Sequence, residues 1–259
     1  MKRSPALPAS LLRLPIAHRA LHDRAAGRIE NSPSAIKAAI AAGYAIEIDV
    51  QLSADGKAMV FHDETLDRLT DETGPVNARS ATELGRIALR DGAGDTIPTL
   101  PEVLALVAGQ VPLLIEIKDQ TGSMSDSDAT LEKAVADALQ GYQGDVALMS
   151  FNPHSVRHLG ELMPDLARGL IGSSYDYADW EELTPEVCDS LRGLPNFESL
   201  GASFISHQAS DLGSARVAQI KADGTTILCW TIKSLEAEAA ARQVAQNITF
   251  ERYLAPFVS

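Results

Sequence analysis

Short runs with a β-strand pattern alternate with amphipathic helical runs along almost the whole sequence. Such alternation favours a parallel sheet, because each crossover helix returns the chain to the edge where the preceding strand began. The predicted strands are residues 14–18, 45–51, 57–61, 111–117, 145–150, 166–171, 199–205, 225–231 and 247–250. The predicted helices are residues 32–43, 100–109, 127–142, 152–162, 184–193, 210–224 and 234–246.

The number of these units favours one architecture within the α/β class. Eight or so strand–helix units in 259 residues fit a single (β/α)8 TIM barrel better than a doubly wound sheet, which usually has fewer strands. The segment after the first strand also lacks the GxGxxG pattern of dinucleotide-binding folds. We therefore expect residues 1–259 to form one barrel domain. The polar residues 62–99 predict a small insertion after the second strand, following a hairpin turn at residues 54–57.

Composition limits the partners of the surface. The net charge of −13, from 35 acidic and 22 basic residues, argues against nucleic acid or an anionic membrane as a partner. No apolar run approaches the roughly 18 residues of a membrane-spanning helix, and the start of the chain does not resemble a signal peptide. We expect no stable membrane insertion and a cytoplasmic protein. Cys188 and Cys229 form no spacing motif, so we expect no disulfide; the oligomeric state stays open.

Carboxylates occur on strands that are otherwise apolar. In AIEIDV, the apolar residues lie on one face of an extended chain and Glu47 and Asp49 lie on the other, because side chains alternate with a period of two. In LLIEIK, Glu116 and Lys118 share a face. A buried carboxylate is costly unless it is paired or bound to a cation. Three converging carboxylates therefore predict a metal site.

Further ionisable residues fall at neighbouring strand ends, where the active site of a barrel lies. His18 and Arg19 end the first strand, and His62 ends the hairpin partner of the second. Oxygen donors suit Mg²⁺ or Ca²⁺; zinc is less favoured, although the histidines keep it open. Histidines supply acid–base groups near neutral pH, and Arg19 and Lys118 can neutralise a phosphate.

Each residue also has a simpler interpretation when it is taken alone. A single histidine at a strand end is more often structural. Glu116 and Lys118 could form an ion pair, and Glu47 could pair with Arg19. Their convergence on adjacent strands favours the functional interpretation.

Together these segments resemble the glycerophosphodiester phosphodiesterase family. The family opens with an HRG…PENT-like segment, and this chain has His18-Arg19-Ala20 followed by Glu30-Asn31-Ser32. A Glu-x-Asp strand, a His–Asp turn and a second glutamate strand follow; here they are IEIDVQLSADG (46–56), FHDETLDRLT (61–70) and IEIK (115–118). Their order matches over residues 16–118, and SFNP (150–153) and CWTIK (229–233) are similar to the family's later strand ends.

The resemblance implies hydrolysis of a small-molecule glycerophosphodiester to sn-glycerol 3-phosphate and an alcohol such as choline or ethanolamine. It implies that the metal ligands are Glu47, Asp49 and Glu116, the acid–base pair is His18 and His62, and the phosphate contacts are Arg19 and Lys118. Trp230 matches an aromatic residue that packs over the substrate in relatives, although a core tryptophan is an equal alternative. Glu30 is expected to support the site through hydrogen bonds.

Two other functions stay open on the same scaffold. The first is a lysophospholipase D or sphingomyelinase D-like phosphodiesterase, which needs an apolar groove for an acyl chain; no exposed apolar stretch stands out in this sequence. The second is a catalytically silent barrel that only binds a phosphodiester or a protein.

The chain departs from the family pattern in two places. Ala20 replaces the family's glycine, and the longer loop that follows adds His22 and Asp23. We expect a solvated loop there, the alternative being a feature that selects the substrate. The closing strand, QNITFERYLAP (246–256), lacks the usual Gly-…-Thr-Asp-x-Pro ending, so no contact from that ending is carried over.

Overall fold

The computed structural model describes residues 4–195 and 197–257. Within these residues, eight parallel strands close into a barrel in the order β1-β2-β4-β5-β6-β7-β8-β9, and β9 pairs with β1. The strands are β1 (Ile16–Ala17), β2 (Ala45–Leu52), β3 (Ala58–Val60), β4 (Leu113–Ile117), β5 (Val146–Ser150), β6 (Ala167–Gly172), β7 (Phe204–Gln208), β8 (Thr226–Ile232) and β9 (Asn247–Phe250). The predicted (β/α)8 barrel is confirmed.

Most of the longer helices begin at a polar cap. Ser, Thr or Asn side chains accept hydrogen bonds from the first turns of α2, α4, α6, α7, α9 and α10, which satisfies backbone donors that have no partner inside the helix. The helices are α1 (Ala9–Arg13), α2 (Pro33–Ala42), α3 (Ala81–Leu84), α4 (Leu100–Val107), α5 (Thr130–Leu139), α6 (Pro153–Leu162), α7 (Pro185–Arg192), α8 (Phe197–Leu200), α9 (Ala215–Ala222) and α10 (Leu235–Ala241).

The barrel interior is apolar at the end where the parallel strands begin, which we call the lower end. It is charged at the end where they finish, which we call the upper end. Side chains that point inward alternate along each strand, and the lower ones form a core that includes Leu114, Phe204 and Leu228. Gly169 on β6 leaves room for the ring of Phe204, since a Cβ at this glycine would lie 2.3 Å from that ring. A larger core fills the space between the outward strand faces and the helices. The charged residues at the upper end therefore lie directly above a closely packed apolar core.

Helix α1, which the sequence pattern did not predict, closes the lower end of the barrel. Leu11 is fully buried in the interior core. The Asn247 Nδ2 donates hydrogen bonds to the carbonyl oxygens of Leu11 and Leu14, both at 2.7 Å. Five residues are too few to produce a periodic pattern, so only the tertiary contacts reveal this helix.

Residues 62–99 lie between β3 and α4 and pack around a small core of their own. Phe61, Leu66, Leu84 and Ile97 are buried together there. The segment contains the short helix α3 and a 3-10 turn at Val76–Ala78. Strand β3 is antiparallel to β2, as the predicted hairpin requires. The hairpin brings the start of this segment to the rim of the barrel.

The strand prediction for residues 199–205 was wrong at its start. Phe197–Leu200 form helix α8, whose buried residues pack beside α6, and the strand begins only at Phe204. Gly201 separates the two with a φ of +65°, a conformation that favours glycine. Similarly, the predicted helix 210–224 is divided into a 3-10 turn at Ala209–Asp211 and α9, which starts after the cap Ser214.

The two cysteines are free and buried, so neither takes part in a bridge. None of the helices in residues 4–195 and 197–257 is both long enough and apolar enough to cross a membrane.

We predict that Leu11→Ala lowers the free energy of unfolding by about 2–5 kcal/mol, because it leaves a cavity in the floor of the barrel. Urea denaturation measures the change. Leu235→Ala, at a position that is 61% exposed, is the matched control and should stay within about 0.5 kcal/mol of the parent chain. Equal losses for the two variants would contradict a structural role for α1.

Candidate active site

One cavity at the upper end of the barrel contains every residue predicted for the site. Its volume is about 470 Å³. The strands β1, β2 and β4, together with the hairpin, supply its charged wall, because their inward positions meet at the carboxyl edge of the sheet. The predicted residues that line this cavity are His18, Arg19, Glu47, Asp49, His62, Glu116, Lys118 and Trp230.

Three buried carboxylates form the centre of the charged wall. Glu47, Asp49 and Glu116 offer oxygen atoms that all lie within 4.8 Å of one another. Asp49 and Glu116 are direct partners in the register of β2 and β4, so the two strands bring them side by side. The side chain of Asn31 fixes Asp49: its Nδ2 donates to Oδ2 at 2.9 Å, and its Oδ1 accepts from the Asp49 backbone N–H at 3.2 Å.

The charge of this centre is only partly balanced by the protein. The Lys118 Nζ lies 2.7 Å from Asp49 Oδ1 and 2.5 Å from Glu116 Oε1. Burial opposes its charge, but the two carboxylates raise the pKa of Lys118 to about 12. Burial, together with the charges of Asp49 and Glu116, raises the pKa of Glu47 well above its usual range. A divalent cation would relieve this repulsion, and three carboxylate oxygens are donors that hard cations prefer.

The pKa of Asp49 is shifted in the opposite direction from the pKa of Glu47. Burial acts to raise its pKa, but Lys118, His62 and Arg19 together hold it well below the usual range. The surrounding cationic groups therefore favour the ionised form of Asp49, which is the form that can bind a cation.

His18 is positioned by a carboxylate that the sequence did not indicate. Its Nδ1 lies 2.7 Å from Oε2 of Glu251, which follows β9. Burial lowers the pKa of His18, and the charge of Arg19 adds to this effect. The hydrogen bond from His18, and then the nearby ring of His22, hold the pKa of Glu251 well below its usual range. Glu251 occupies an inward position two residues after Thr249, and this alternation is the signal that could have found it.

His62 is held in a similar way by its neighbour. Its Nδ1 lies 2.7 Å from Asp63 Oδ1. Arg68, in the insertion, donates hydrogen bonds to the same carboxylate from Nε at 2.6 Å and from Nη2 at 2.8 Å. Burial alone would raise the pKa of Asp63, but His62 and Arg68 lower it below its usual range. A permanently ionised carboxylate can hold the imidazole in one orientation.

Arg68 also joins this unit to the rest of the charged wall. Its Nη1 and Nη2 donate to the two oxygens of Glu30 at 2.8 and 2.7 Å. Glu30 accepts in turn from Arg19 Nη1 at 2.7 Å. Burial opposes the ionisation of Glu30, but the two arginines lower its pKa to about 2. Glu30 thus supports the site through hydrogen bonds, as the sequence predicted, whereas the role of Arg68 was missed.

Arg19 and Lys118, the predicted phosphate contacts, are already paired with carboxylates. The Arg19 guanidinium contacts Glu30 and lies 3.6 Å from Asp49, and its backbone N–H donates to Glu47 Oε2 at 2.8 Å. The Glu116–Lys118 ion pair of the simpler interpretation is therefore present, whereas the Arg19 guanidinium pairs with Glu30 and Asp49, and Arg19 contacts Glu47 only through its backbone N–H. Their function as phosphate contacts stays a prediction.

The opposite wall of the cavity is apolar. Trp230 is half-buried, packs edge-to-face on Phe151 with ring centroids 5.5 Å apart, and donates from Nε1 to the carbonyl oxygen of Ser206 at 3.1 Å. Trp180 packs against Phe151 at 5.2 Å, and Leu183 and Met124 complete the wall. No single stretch of the sequence indicates this apolar wall, because its residues come from four separate segments.

The loop after β1 is less solvated than predicted. Asp23 is exposed and pairs with Arg28 at 3.0 Å. His22 is only 22% exposed, and its ring lies against Glu251. The expectation of a solvated loop therefore holds for Asp23 and was wrong for His22.

A (β/α)8 barrel with such a cavity at its carboxyl edge has the parts of a metal-dependent enzyme that cleaves phosphate esters. The chain belongs to the glycerophosphoryl diester phosphodiesterase family, whose model matches residues 18–248.

Three similar proteins agree with this assignment. Over 149 residues the chain is 36% identical to a glycerophosphodiester phosphodiesterase of Caldanaerobacter subterraneus subsp. tengcongensis; the match covers 55% of this chain and spans 60% of that relative's length. It is 24% identical over 249 residues to glycerophosphodiester phosphodiesterase 1 of Bos taurus, covering 86% and 73% of the two chains. A phosphodiesterase of Oleispira antarctica, solved with the product sn-glycerol-3-phosphate, superimposes with a TM-score of 0.73 at 26% identity and coverage of 92% and 93%.

We predict that Arg68→Ala lowers kcat by roughly 10-fold or more, because Asp63 and Glu30, which contact His62 and Arg19, lose the guanidinium that fixes both carboxylates in place. Steady-state kinetics measures the effect. Arg86→Ala, an exposed arginine of the same insertion, is the control and should leave kcat unchanged. An unchanged kcat in Arg68→Ala would assign this arginine to the packing of the insertion alone.

Proposed function

We propose that this protein hydrolyses glycerophosphodiesters to sn-glycerol 3-phosphate and an alcohol, with a bound Mg²⁺ or Ca²⁺. The observation that carries the proposal is the single cavity in which three carboxylates, two histidines and two cationic side chains converge. Family membership and the product bound to the Oleispira antarctica relative support it. We further infer that residues 1–259 act as one domain; a cytoplasmic location, a small-molecule substrate and no nucleic-acid partner stay predictions.

In this proposal the two histidines divide the proton transfers. Burial favours the neutral form of His18, and its Nδ1 is engaged with Glu251, so the Nε2 lone pair can accept the proton of the glycerol 2-hydroxyl. That hydroxyl then attacks phosphorus. His62, beside the ionised Asp63, is assigned as the acid that protonates the leaving alcohol as its bond to phosphorus breaks. The product of this step is a cyclic 1,2-phosphate, which water then opens to give sn-glycerol 3-phosphate. The substrate thus carries its own nucleophile, which avoids the entropic cost of recruiting water in the first step.

In this proposal, two cationic side chains and a metal ion share the neutralisation of the phosphate's negative charge. Arg19 and Lys118 are assigned to the phosphoryl oxygens, and Glu47, Asp49 and Glu116 to the cation. A divalent cation bound there would polarise the phosphoryl group and disperse the developing negative charge.

We predict that chelation abolishes activity and that Mg²⁺ or Ca²⁺ restores it. Asp49→Asn should weaken metal binding at least about tenfold, because it removes one of the three carboxylates that would hold the ion. Calorimetric titration with each ion and assays after dialysis against a chelator measure the two effects. Glu182→Gln, an exposed carboxylate on the rim of the same cavity, is the matched control. Full turnover after removal of the metal would refute the role of the cation.

We predict that His18→Ala and His62→Ala each lower kcat by roughly 10²-fold on glycerophosphocholine. A p-nitrophenyl ester of glycerol 3-phosphate separates the roles, because p-nitrophenolate leaves without protonation. On this ester His62→Ala should recover most of its activity, whereas His18→Ala should not. Recovery in the opposite variant would reverse the assignment.

A substrate without the glycerol 2-hydroxyl is the control for the nucleophile. The 2-deoxy analogue should be turned over poorly, and phosphorus NMR should detect a cyclic 1,2-phosphate from the natural substrate. Equal rates on both substrates would mean that water attacks directly.

One observation favours keeping a lysophospholipase D-like activity as a second candidate. The apolar wall of Phe151, Trp180 and Trp230 can cover hydrocarbon that the charged wall cannot. Lysophosphatidylcholine in the same assay tests it: a higher kcat/KM than for glycerophosphocholine would favour the lipid substrate. A catalytically silent barrel would turn over neither.

A further inference from the structure

The two places where the chain departs from the family pattern meet beside His18. His22 lies in the longer loop after β1, and Glu251 lies in the altered ending after β9. Glu251 Oε2 lies 2.7 Å from His18 Nδ1 and 3.6 Å from His22 Nε2. One nitrogen of each histidine and one carboxylate oxygen all lie within 4.8 Å of one another. These three residues, which we call the His–His–Glu cluster, are separate from the Glu47–Asp49–Glu116 carboxylates.

The ring of His22 has an unused nitrogen at this place. Its Nε2 atom is buried, and within residues 4–195 and 197–257 it has no hydrogen-bond partner. A buried polar atom without a partner is uncommon, because it has lost water and gained nothing in exchange. The nitrogen nevertheless faces the Glu251 carboxylate. A cation between the two groups would satisfy both.

The ligand types of the His–His–Glu cluster differ from those of the carboxylate centre. Two imidazoles and one carboxylate suit zinc and similar transition ions, whereas three carboxylates suit Mg²⁺ or Ca²⁺. These ligand types therefore favour a different class of ion from the carboxylate centre.

Two cationic side chains also contact Glu251, but at its other oxygen. Lys233 Nζ lies 3.2 Å and Arg252 Nε lies 3.3 Å from Oε1. They are 51% and 70% exposed, so solvent screens much of their charge. They leave Oε2 to the histidines and weaken, without preventing, the binding of a further cation. Such a site would bind zinc reversibly rather than as a permanent structural ion.

We propose that the His–His–Glu cluster is a second, inhibitory metal site for Zn²⁺ or a similar transition ion. The inhibitory consequence rests on the proposed function, in which His18 accepts a proton at Nε2. An ion at Nδ1 displaces the proton that this nitrogen shares with Glu251, and the neutral ring then carries its single proton on Nε2. His18 then has no lone pair on Nε2 with which to accept the proton of the substrate hydroxyl. Zinc would thus inactivate the acid–base pair without displacing the ion of the carboxylate centre.

The first test measures zinc binding by calorimetry with saturating Mg²⁺, which protects the carboxylate centre. His22→Ala should weaken zinc binding at least about tenfold, because it removes one of three ligands. His22→Cys should restore it, since a thiolate is also a zinc ligand. His154→Ala, at a partly exposed histidine beside Asp126, is the control and should bind zinc as the parent chain does. Equal affinities in the parent chain and His22→Ala would overturn the site, as would an equal loss in His154→Ala.

The second test measures inhibition of glycerophosphocholine hydrolysis by zinc, again with saturating Mg²⁺. With each chain's rate referred to its own rate without zinc, His22→Ala should need at least about tenfold more zinc than the parent chain for half inhibition. Inhibition that additional Mg²⁺ relieves equally in both chains would place zinc at the carboxylate centre and overturn the proposal. If the parent chain hydrolyses no glycerophosphodiester, the proposed function fails, and the binding test alone decides on the metal site.

Discussion

The structure depends on an excess of negative charge held inside the barrel. Glu47, Asp49 and Glu116 are buried together, and Lys118 is the cation that reaches between two of them. Burying an unbalanced charge costs free energy. Such an arrangement is therefore typical of functional sites, where a bound ligand compensates the charge. The raised pKa of Glu47 expresses the same imbalance. A cation bound at this centre would reduce the repulsion among the three carboxylates and would supply the positive charge that the proposed reaction needs.

Around this centre, ionised carboxylates hold the groups that are proposed to move protons. Glu251 contacts His18, Asp63 contacts His62, and Arg68 connects Asp63 to the network of Arg19. The bidentate contacts of Arg68 fix geometry as well as charge, because a guanidinium matches two carboxylate oxygens at once. The insertion therefore contributes directly to the site. It brings to the site an arginine that links the His62–Asp63 pair to Glu30 and, through Glu30, to Arg19.

The structure also shows why some expectations from the sequence were wrong. The start of the strand predicted at residue 199 fell on helix α8, because burial of Phe197 and Leu200 beside a neighbouring helix outweighed the local strand pattern. The apolar wall was missed because Phe151 and Trp180 are far apart in sequence. His22 was expected in solvent, yet the ending after β9 folds against it.

The sequence by itself determined the order of the barrel strands and of the longer helices between them, and the side of each strand on which the charged residues lie. A period of two along β2 and β4 forces Glu47, Asp49 and Glu116 inward once their apolar neighbours pack outward. Only the tertiary structure decided which charges meet. The partners of His18 and Glu30 come from the end of the chain and from the insertion, 233 and 38 residues away. Closure of the barrel and packing of the insertion set those distances, and no local pattern encodes them.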